Sequence, residues 1–509
     1  MDAIKNSSRI QILAFIALLV GLMATILGFY SRDGFSEDEF FEIAFINEGW
    51  AHFLVQVARL DQHPPLHYLQ VKLWGAFFSS DKGLLLNSLV WHFVSCAVIF
   101  WVGRAWLGAT AALLAVAFYV LAPQVVSASV SLRMYAMLPA LAVGTWWLNV
   151  KLLSIDERRW WPWIGVLGFE IALGYSHAIA FYFVAWIVLA AAVQVYGKQG
   201  GKVGWKRWFA IQSFAAVLLL PLLASAVIRI SMPGQSDSGG NSDPGGLIAH
   251  LGGMVVGWGT KFEYLKGLGA IFFMTAIALG LWNKKSRLMS AVILLGPYTF
   301  AAIVALFLAP MFKTPVYSAM LMPFVCLALG GGLVAIGRNW AQWLTTFLLV
   351  AMTALVFPVS GKLLGLDSPY SQIASNLKGR VEYGDVVVIP KPVIYWATMR
   401  YAVGPDWGSP LEVLPALNEN WARLIGKLDP KIASNLKLFP KTNHVVKDGI
   451  TYVIGDDAVS ESMGAKRVWV VEQTRYFVPV NLSPGFMDKG VVFNVSKNVP
   501  TQVRLLERL

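Results

Sequence analysis

The stretch Phe35–Tyr68, FSEDEFFEIAFINEGWAHFLVQVARLDQHPPLHY, lies between the first two long apolar segments of the chain. It begins with a cluster of acidic residues and ends with the string Asp61-Gln62-His63-Pro64-Pro65-Leu66. A loop that only connects two membrane helices needs neither this length nor this density of carboxylate, imidazole and proline. Because binding and catalytic residues concentrate on loops held by a rigid scaffold, we interpret the stretch as an active-site loop at a membrane surface.

The composition is that of a polytopic membrane protein. Of the 509 residues, 57% are hydrophobic and only 14% are charged, and the mean hydropathy is +0.59. These values exclude an ordinary soluble protein. The net charge of +12 is spread between apolar segments, which favours a role in membrane topology over nucleic-acid binding. Cys96 and Cys326 both fall inside apolar segments, so neither a disulfide nor a zinc site is predicted.

Eleven apolar segments, each of roughly 16–24 residues, are long enough to cross a bilayer. They lie near residues 11–30, 84–103, 106–122, 134–152, 160–175, 178–197, 207–229, 265–282, 287–309, 317–336 and 340–358. Lys and Arg are densest in the loops on the same side as the N-terminus, and the positive-inside rule assigns that side to the cytoplasm. The loop 31–83 and the C-terminus are then predicted to lie outside the cytoplasm.

The composition changes after about residue 360. Short apolar runs at 385–390, 450–454 and 468–471 alternate with polar stretches, which is typical of a soluble α/β domain. The predicted fold class is therefore a mainly α polytopic membrane protein, residues 1–360, with a small extracytoplasmic α/β domain, residues 361–509. The Gly-, Ser- and Pro-rich stretch Ser231–Gly246 predicts an exposed loop, either a plain linker or a lid over a substrate.

Asp38 and Glu42 are four residues apart, so they share one face if this part of the loop is helical. A carboxylate held there could accept a proton from an acceptor hydroxyl, and the alternative is a solvated acidic face. The stretch Phe40–Leu60 is amphipathic, and we predict that it lies along the membrane surface.

The two prolines after His63 suit the first turn of a helix. The free amides of that turn, together with His63 and His67, form a pattern that suits a phosphate. The alternative is a turn that leads into an interfacial helix, with His63 as a polar cap.

Further polar residues are predicted on the same, outer side of the membrane. Arg133, close to Tyr135, could hold a lipid phosphate or extend to the interface. His177 lies in a tight turn between two spans, and Lys313 lies before the tenth. Glu170 falls inside a span, where an acid is either functional or satisfied by a neighbouring helix. The convergence of these elements on one side of the bilayer favours a single site.

Four motifs resemble those of the GT-C membrane glycosyltransferases in order, spacing and membrane side. The similar groups are the bacterial branch of the protein-mannosyltransferase-like family 39 and, as cousins, the lipid A aminoarabinose transferases. The resemblance covers most of residues 1–360. The motifs are Asp38-Glu39, Asp61-x-His63-Pro64-Pro65-Leu66, Arg133-Met134-Tyr135 and Tyr175-Ser176-His177.

This resemblance implies a polyprenyl-phosphate sugar as donor and inverting transfer of one sugar to an acceptor hydroxyl. It places the protein in a bacterial cytoplasmic membrane, with the active site on the outer face. Asp38 corresponds to the general base, with Glu39 as the adjacent catalytic carboxylate. The implied donor-phosphate and substrate-binding residues are Arg59, Asp61, His63, His67, Arg133, Tyr135, His177 and Lys313.

The chain departs from the family pattern at Ser131, where Glu is frequent, and at Val316, where Arg is frequent. These departures concern the identity of the sugar rather than the reaction class. No cofactor is fixed, and Glu39, Asp61 and His63 are candidate ligands of a divalent cation.

The resemblance also leaves two classes of acceptor. A lipid A or lipopolysaccharide type of envelope lipid or glycan is favoured, and a protein is the alternative. A transporter or flippase of lipid-linked glycans and a non-catalytic scaffold are the competing classes of function.

Overall fold

The computed structural model describes residues 2–508, except for 33, 47–48, 51–52, 54–62, 156, 158, 200–204, 231–243, 258–262, 306–318, 337–338, 365–368, 390–397, 399, 403–443, 448–449, 455–463, 474–485 and 496–500. The chain divides into two compact units. We call Met1–Ser31 with Gln62–Gly365 the membrane unit, and Arg32–Asp61 with Leu366–Leu509 the C-terminal unit. The long outer loop is thus shared between the two.

Every predicted span contains at least one observed helix of the membrane unit. The helices are Asp2–Ser31, Leu66–Gly75, Asp81–Trp106, Ala109–Leu121, Pro123–Ser129, Leu138–Ser154, Trp161–Gly174, Ala180–Gln199, Trp205–Ile230, Pro244–Val256, Glu263–Trp282, Arg287–Met289, Gly296–Ala305, Met322–Ile336 and Asn339–Leu364, with a 3-10 turn at Met134–Ala136 and a π-helix at Ser290–Leu295. Among the described residues, six helices are long and apolar enough to cross a membrane, or seven with a bent pair. The mainly helical fold is confirmed, whereas about eleven crossings stay a prediction.

Exposed aromatic side chains stand near both ends of the apolar helices. At the ends predicted to be cytoplasmic they include Trp101, Trp160, Trp161, Trp282 and Trp343, and at the opposite ends Tyr30, Phe77 and Tyr264. Aromatic rings at both membrane–water interfaces are typical of proteins that span a bilayer.

The helix Ala109–Leu121 lies at the centre of the membrane unit. It packs against the helices Asp2–Ser31, Asp81–Trp106 and Met322–Ile336. Ala122 is extended, with φ −71° and ψ 116°, because the proline that follows disfavours the helical conformation at this position. The chain therefore turns by 72° into the short helix Pro123–Ser129, and this turn leads directly to Arg133.

The helix Pro244–Val256 was not predicted from the sequence. It packs against Glu263–Trp282 at very short range, since a Cβ atom added at Gly252 would lie 1.8 Å from the carbonyl oxygen of Lys266. Glycine lets the two backbones approach, and the same glycines obscure the helical pattern in the sequence. The predicted lid or linker, Ser231–Gly246, lies mostly outside the described residues.

The C-terminal unit contains the helices Glu37–Ile46 and Pro369–Lys378 and, in its described part, a six-stranded sheet. The strands are β1 Val386–Ile389, β2 His444–Lys447, β3 Ile450–Ile454, β4 Arg467–Gln473, β5 Phe486–Val495 and β6 Thr501–Arg508. Their order in the sheet is β2-β3-β1-β4-β6-β5. β1 runs parallel to β3 and β4, and the remaining pairs are antiparallel. The predicted C-terminal sheet is therefore confirmed.

The three parallel strands of this sheet are the apolar runs seen in the sequence. Val388, Val453 and Val470 are buried because parallel strands are covered on both faces. Asp385 stands just before β1 and accepts hydrogen bonds from the guanidinium of Arg467 and, at 2.9 Å, from the indole of Trp469. These contacts fasten the start of β1 to β4.

Candidate active site

The predicted catalytic carboxylates lie on the helix Glu37–Ile46 in the C-terminal unit. Glu39 is fully buried, and one of its oxygens, Oε2, accepts hydrogen bonds from the Ser36 amide at 2.6 Å and the Ser36 hydroxyl at 2.7 Å. This is one half of a capping box, in which the third helical residue satisfies the free amide at the helix start. The same oxygen forms a salt bridge with the buried guanidinium of Arg32. These are the contacts of a structural carboxylate.

Asp38 lies in the first turn of this helix, directly before Glu39. Its side chain is outside the described ones, so its role as general base stays a prediction. What the structure does fix is the backbone on either side of it, because Ser36 and Glu39 are hydrogen-bonded to each other.

Aromatic residues hold the same helix within the C-terminal unit. The ring of Phe40 makes edge contacts with Tyr370 at 5.6 Å and Tyr401 at 6.0 Å between ring centroids. The amide of Phe35 donates to the hydroxyl of Tyr401 at 3.2 Å, and the Arg400 guanidinium lies 5.4 Å from the Phe35 ring centroid. No local pattern in the sequence indicates these contacts, because more than three hundred residues separate the partners.

Burial of these aromatic rings differs from the sequence prediction for Phe40–Leu60. Phe40, Phe45 and Phe53 are buried in the protein, whereas an amphipathic segment along a membrane would turn its apolar side chains to lipid; Trp50 of the same segment is exposed. The ring of Phe40 is covered by two aromatic side chains of the C-terminal unit, Tyr370 and Tyr401. Residues 54–60 of the segment lie outside the described residues.

Three rings from separate parts of the sequence meet in the membrane unit. The imidazoles of His63 and His177 are 4.7 Å apart between ring centroids, and the ring of Tyr135 is 5.7 Å from that of His177. The amide of Leu66 donates to the carbonyl of Tyr175 at 3.1 Å and fastens the start of helix Leu66–Gly75 to the tight turn. The structure thus brings together three of the four motifs on which the family resemblance depends.

Arg133 supplies positive charge to this group of residues. Its backbone is extended, and its amide donates to the carbonyl of Ser131 at 2.8 Å. Burial and then the nearby Arg133 charge lower the pKa of His67 to about 3. Burial, His63 and Arg133, in that order, hold the pKa of His177 well below its usual value. Both imidazoles are therefore neutral at pH 7, and Arg133 provides the charge.

The hydrogen bonds of His177 assign its tautomer. Its Nδ1 atom accepts from the amide of Ile179 at 3.2 Å, so in the neutral ring the proton resides on Nε2. His177 is then a neutral donor through Nε2, which suits an anionic oxygen without requiring a buried cation.

Ser131, where the family frequently has Glu, has a structural role in this turn. Its carbonyl accepts from the hydroxyl of Ser88 and from the Arg133 amide, and its hydroxyl donates to the carbonyl of Ser127 at 3.0 Å. A carboxylate at position 131 is therefore not needed to hold the turn.

Glu170 is the acid inside an apolar helix for which the sequence left two interpretations open. It is fully buried, and its Oε1 atom accepts from the amides of Asn149 and Gln212, both at 2.9 Å. Asn149 also accepts from the indole of Trp208 at 2.9 Å. These bonds connect three helices through Oε1, so neighbouring helices satisfy one oxygen of the acid, while Oε2 is buried with no hydrogen-bond partner within the described structure.

Arg59, Asp61 and Lys313 lie outside the described residues, so their predicted roles stay predictions. No group of three or more His, Cys, Asp or Glu side chains is placed to hold a metal ion within the described part of the chain. The candidate cation site at Glu39, Asp61 and His63 includes an undescribed residue, and it also stays a prediction.

Neither a protein-family model nor a curated protein matches this sequence. Solved structures do match its fold. ArnT from Cupriavidus metallidurans in the apo state has a TM-score of 0.53 at 13% identity, over 96% of this chain and 97% of that one. The same protein bound to undecaprenyl phosphate has a TM-score of 0.53 at 12% identity, with the same coverage. An Archaeoglobus fulgidus oligosaccharyltransferase has a TM-score of 0.49 at 12% identity, over 91% of this chain and 68% of that one.

The likeness to ArnT extends over nearly the whole chain, including the C-terminal unit. At such low identity it establishes the arrangement of the backbone rather than the chemistry. This protein therefore has the GT-C fold, as the motifs in its outer loops predicted.

Proposed function

We propose that this protein is a glycosyltransferase that uses a polyprenyl-phosphate sugar as donor. The observation that carries the proposal is the group of His63, His177 and Tyr135 beside Arg133 on a GT-C fold. One solved structure with this fold holds undecaprenyl phosphate, which is the lipid part of such a donor.

The donor phosphate would be bound by Arg133, the neutral imidazoles and the amides that follow Leu66 at the start of helix Leu66–Gly75, since the Leu66 amide itself donates to Tyr175. An arginine makes two parallel hydrogen bonds to a phosphate, and a helix start adds amide donors with favourable polarity. Charge develops on this phosphate as the sugar leaves, so fixed donors at this position lower the barrier to transfer.

In the proposed reaction an acceptor hydroxyl attacks the anomeric carbon of the sugar from the face opposite the phosphate. The new carbon–oxygen bond forms as the bond to the phosphate oxygen breaks, which inverts the configuration. Asp38 takes the hydroxyl proton, and polyprenyl phosphate leaves. Glu39 then positions Asp38 through the cap and the Arg32 salt bridge, a role that differs from direct catalysis.

The favoured acceptor is a hydroxyl of an envelope lipid or glycan of the lipid A or lipopolysaccharide type. It would be modified at the outer face of a bacterial cytoplasmic membrane, and a divalent cation is a candidate further component. The alternative is a protein O-glycosyltransferase with the same class of donor. A flippase is less favoured, because the one intramembrane acid in the described spans, Glu170, is hydrogen-bonded between helices.

The test compares envelope lipids and glycans by mass spectrometry in cells that express the wild-type protein or Asp38→Asn. We expect a species that is lighter by one sugar in the variant, and its mass identifies both sugar and acceptor. Glu37→Gln, one residue before on the same helix, is the matched control and should keep the product. Identical lipid and glycan profiles at equal expression would contradict the proposal for a lipid or glycan acceptor. Glycoproteomics of the same cells would then test the protein acceptor.

A further inference from the structure

A buried amide in the membrane unit has no hydrogen-bond partner within the described structure. Asn87, on helix Asp81–Trp106, is 1% exposed, and neither its amide nitrogen nor its oxygen contacts a polar atom. A buried polar group in this state destabilises a fold, and native proteins rarely keep one without a reason. An apolar side chain of similar size would serve packing better, so Asn87 calls for a ligand that completes its hydrogen bonds.

A second amide lies on the neighbouring helix of the same hairpin. The indole of Trp74 donates to the carbonyl of Gly83 at 2.8 Å and fixes the hairpin between helices Leu66–Gly75 and Asp81–Trp106. Gln70 lies one turn before Trp74, and Asn87 lies one turn after Gly83. Residues one turn apart share a face of a helix, so each amide is on the face through which its helix contacts the other. The Oε1 atom of Gln70 is also buried and has no partner within the described structure.

The two amides belong to the neighbourhood of Arg133. Ser88, next to Asn87, donates to the carbonyl of Ser131, which in turn accepts from the Arg133 amide. His67 lies one turn before Gln70, and Arg133 is close enough to His67 to act on it electrostatically. Along its own helix, each amide therefore lies within one turn of a residue that interacts with Arg133 or with the turn before it.

The chemistry of an amide selects among possible ligands. The nitrogen of Asn87 donates and its oxygen accepts, so an anion or a cation alone would satisfy only one of the two. A hydroxyl group both donates and accepts, and it also suits the acceptor oxygen of Gln70. Next to a phosphate site, hydroxyls are supplied by the sugar of the donor.

We propose that Asn87 and Gln70 form the subsite that binds neutral hydroxyl groups of the donor sugar. The subsite rests on the proposed function, since it takes the sugar that a donor phosphate at Arg133 would carry. It also assigns specificity to residues outside the four motifs. A sugar that lacks the matching hydroxyl would leave both amides unsatisfied and would be discriminated against.

The decisive variant is Asn87→Leu, which removes the amide and keeps the number and branching of the side-chain heavy atoms. We expect its melting temperature in detergent to rise by roughly 1–3 °C, because an unsatisfied buried group is lost. Sugar transfer, followed by mass spectrometry of envelope lipids, should fall roughly tenfold. Affinity for undecaprenyl phosphate without a sugar should stay within about twofold of wild type. Gln70→Leu should lower transfer in the same way.

Asn149→Leu is the matched control, because Asn149 is a buried amide with complete hydrogen bonds, and its melting temperature should fall. A lower melting temperature or failure to fold in Asn87→Leu would show a structural amide, with water as its partner, and would overturn the proposal. Wild-type transfer in both Asn87→Leu and Gln70→Leu would also overturn it. Failure of the proposed function is distinct, since wild-type cells would then show the same envelope profile as Asp38→Asn cells.

Discussion

The salt bridge between Arg32 and Glu39 gives a prediction that separates a structural from a catalytic carboxylate. Arg32 is 4% exposed and Glu39 is fully buried. The variant Glu39→Gln keeps an oxygen that can accept from the Ser36 amide but removes the negative charge. Removing one member of a buried ion pair costs about 3–5 kcal/mol, because the remaining buried charge loses the interaction with the removed one. The C-terminal unit should therefore melt roughly 10 °C lower.

Thermal unfolding of the purified protein in detergent measures this change, and sugar transfer is assayed in parallel at a temperature where the variant stays folded. Arg32→Gln should lower the melting temperature by a similar amount. The double variant that carries both Arg32→Gln and Glu39→Gln should lower it by much less than the sum of the two single effects. Asp38→Asn is the contrasting variant, with lost transfer and an unchanged melting temperature. A wild-type melting temperature in Glu39→Gln together with lost transfer would refute the structural role and make Glu39 a catalytic residue.

Three further predictions concern the membrane unit. Arg133→Gln should weaken binding of undecaprenyl phosphate roughly 10- to 100-fold in a titration, because a charge-assisted hydrogen bond is lost. Arg159→Gln, at an exposed site, is the control and should bind like the wild type. Equal affinities of the two variants would remove Arg133 from the phosphate site. The pKa of His67 is about 3 when folded and near 6.5 when unfolded, so the unfolded state binds more protons between these values, and the melting temperature should fall as pH is lowered from 7 towards 4. His67→Gln should flatten this dependence, and an unchanged slope would contradict the burial of a neutral His67. Gly252→Ala should lower the melting temperature by several degrees, because the new Cβ would overlap the backbone of the adjacent helix. Gly165 has open space around its Cα, so Gly165→Ala should leave the melting temperature unchanged or raise it. Similar effects of the two variants would disprove the close helix crossing.

The sequence by itself determined the fold class and the position of most helices in the membrane unit. Long apolar segments can satisfy their backbone in a bilayer only as helices, so composition decides their secondary structure. The motif strings also identified His63, Arg133, Tyr135 and His177 before any contact was known. The parallel strands of the C-terminal unit were equally visible, since β1 and β4 must be apolar on both faces.

Tertiary structure alone decided which of these residues meet and what each one does. The family resemblance implied that Glu39 is a catalytic carboxylate, and only the structure shows that it is fully buried and paired with Arg32. The stretch that begins at Phe40 was predicted to lie along the membrane surface, yet Tyr370 and Tyr401 cover the ring of Phe40. The amide of Asn87 carried no motif at all. Such roles depend on partners far away in the chain, and desolvation and pairing energies exist only once those partners are in contact.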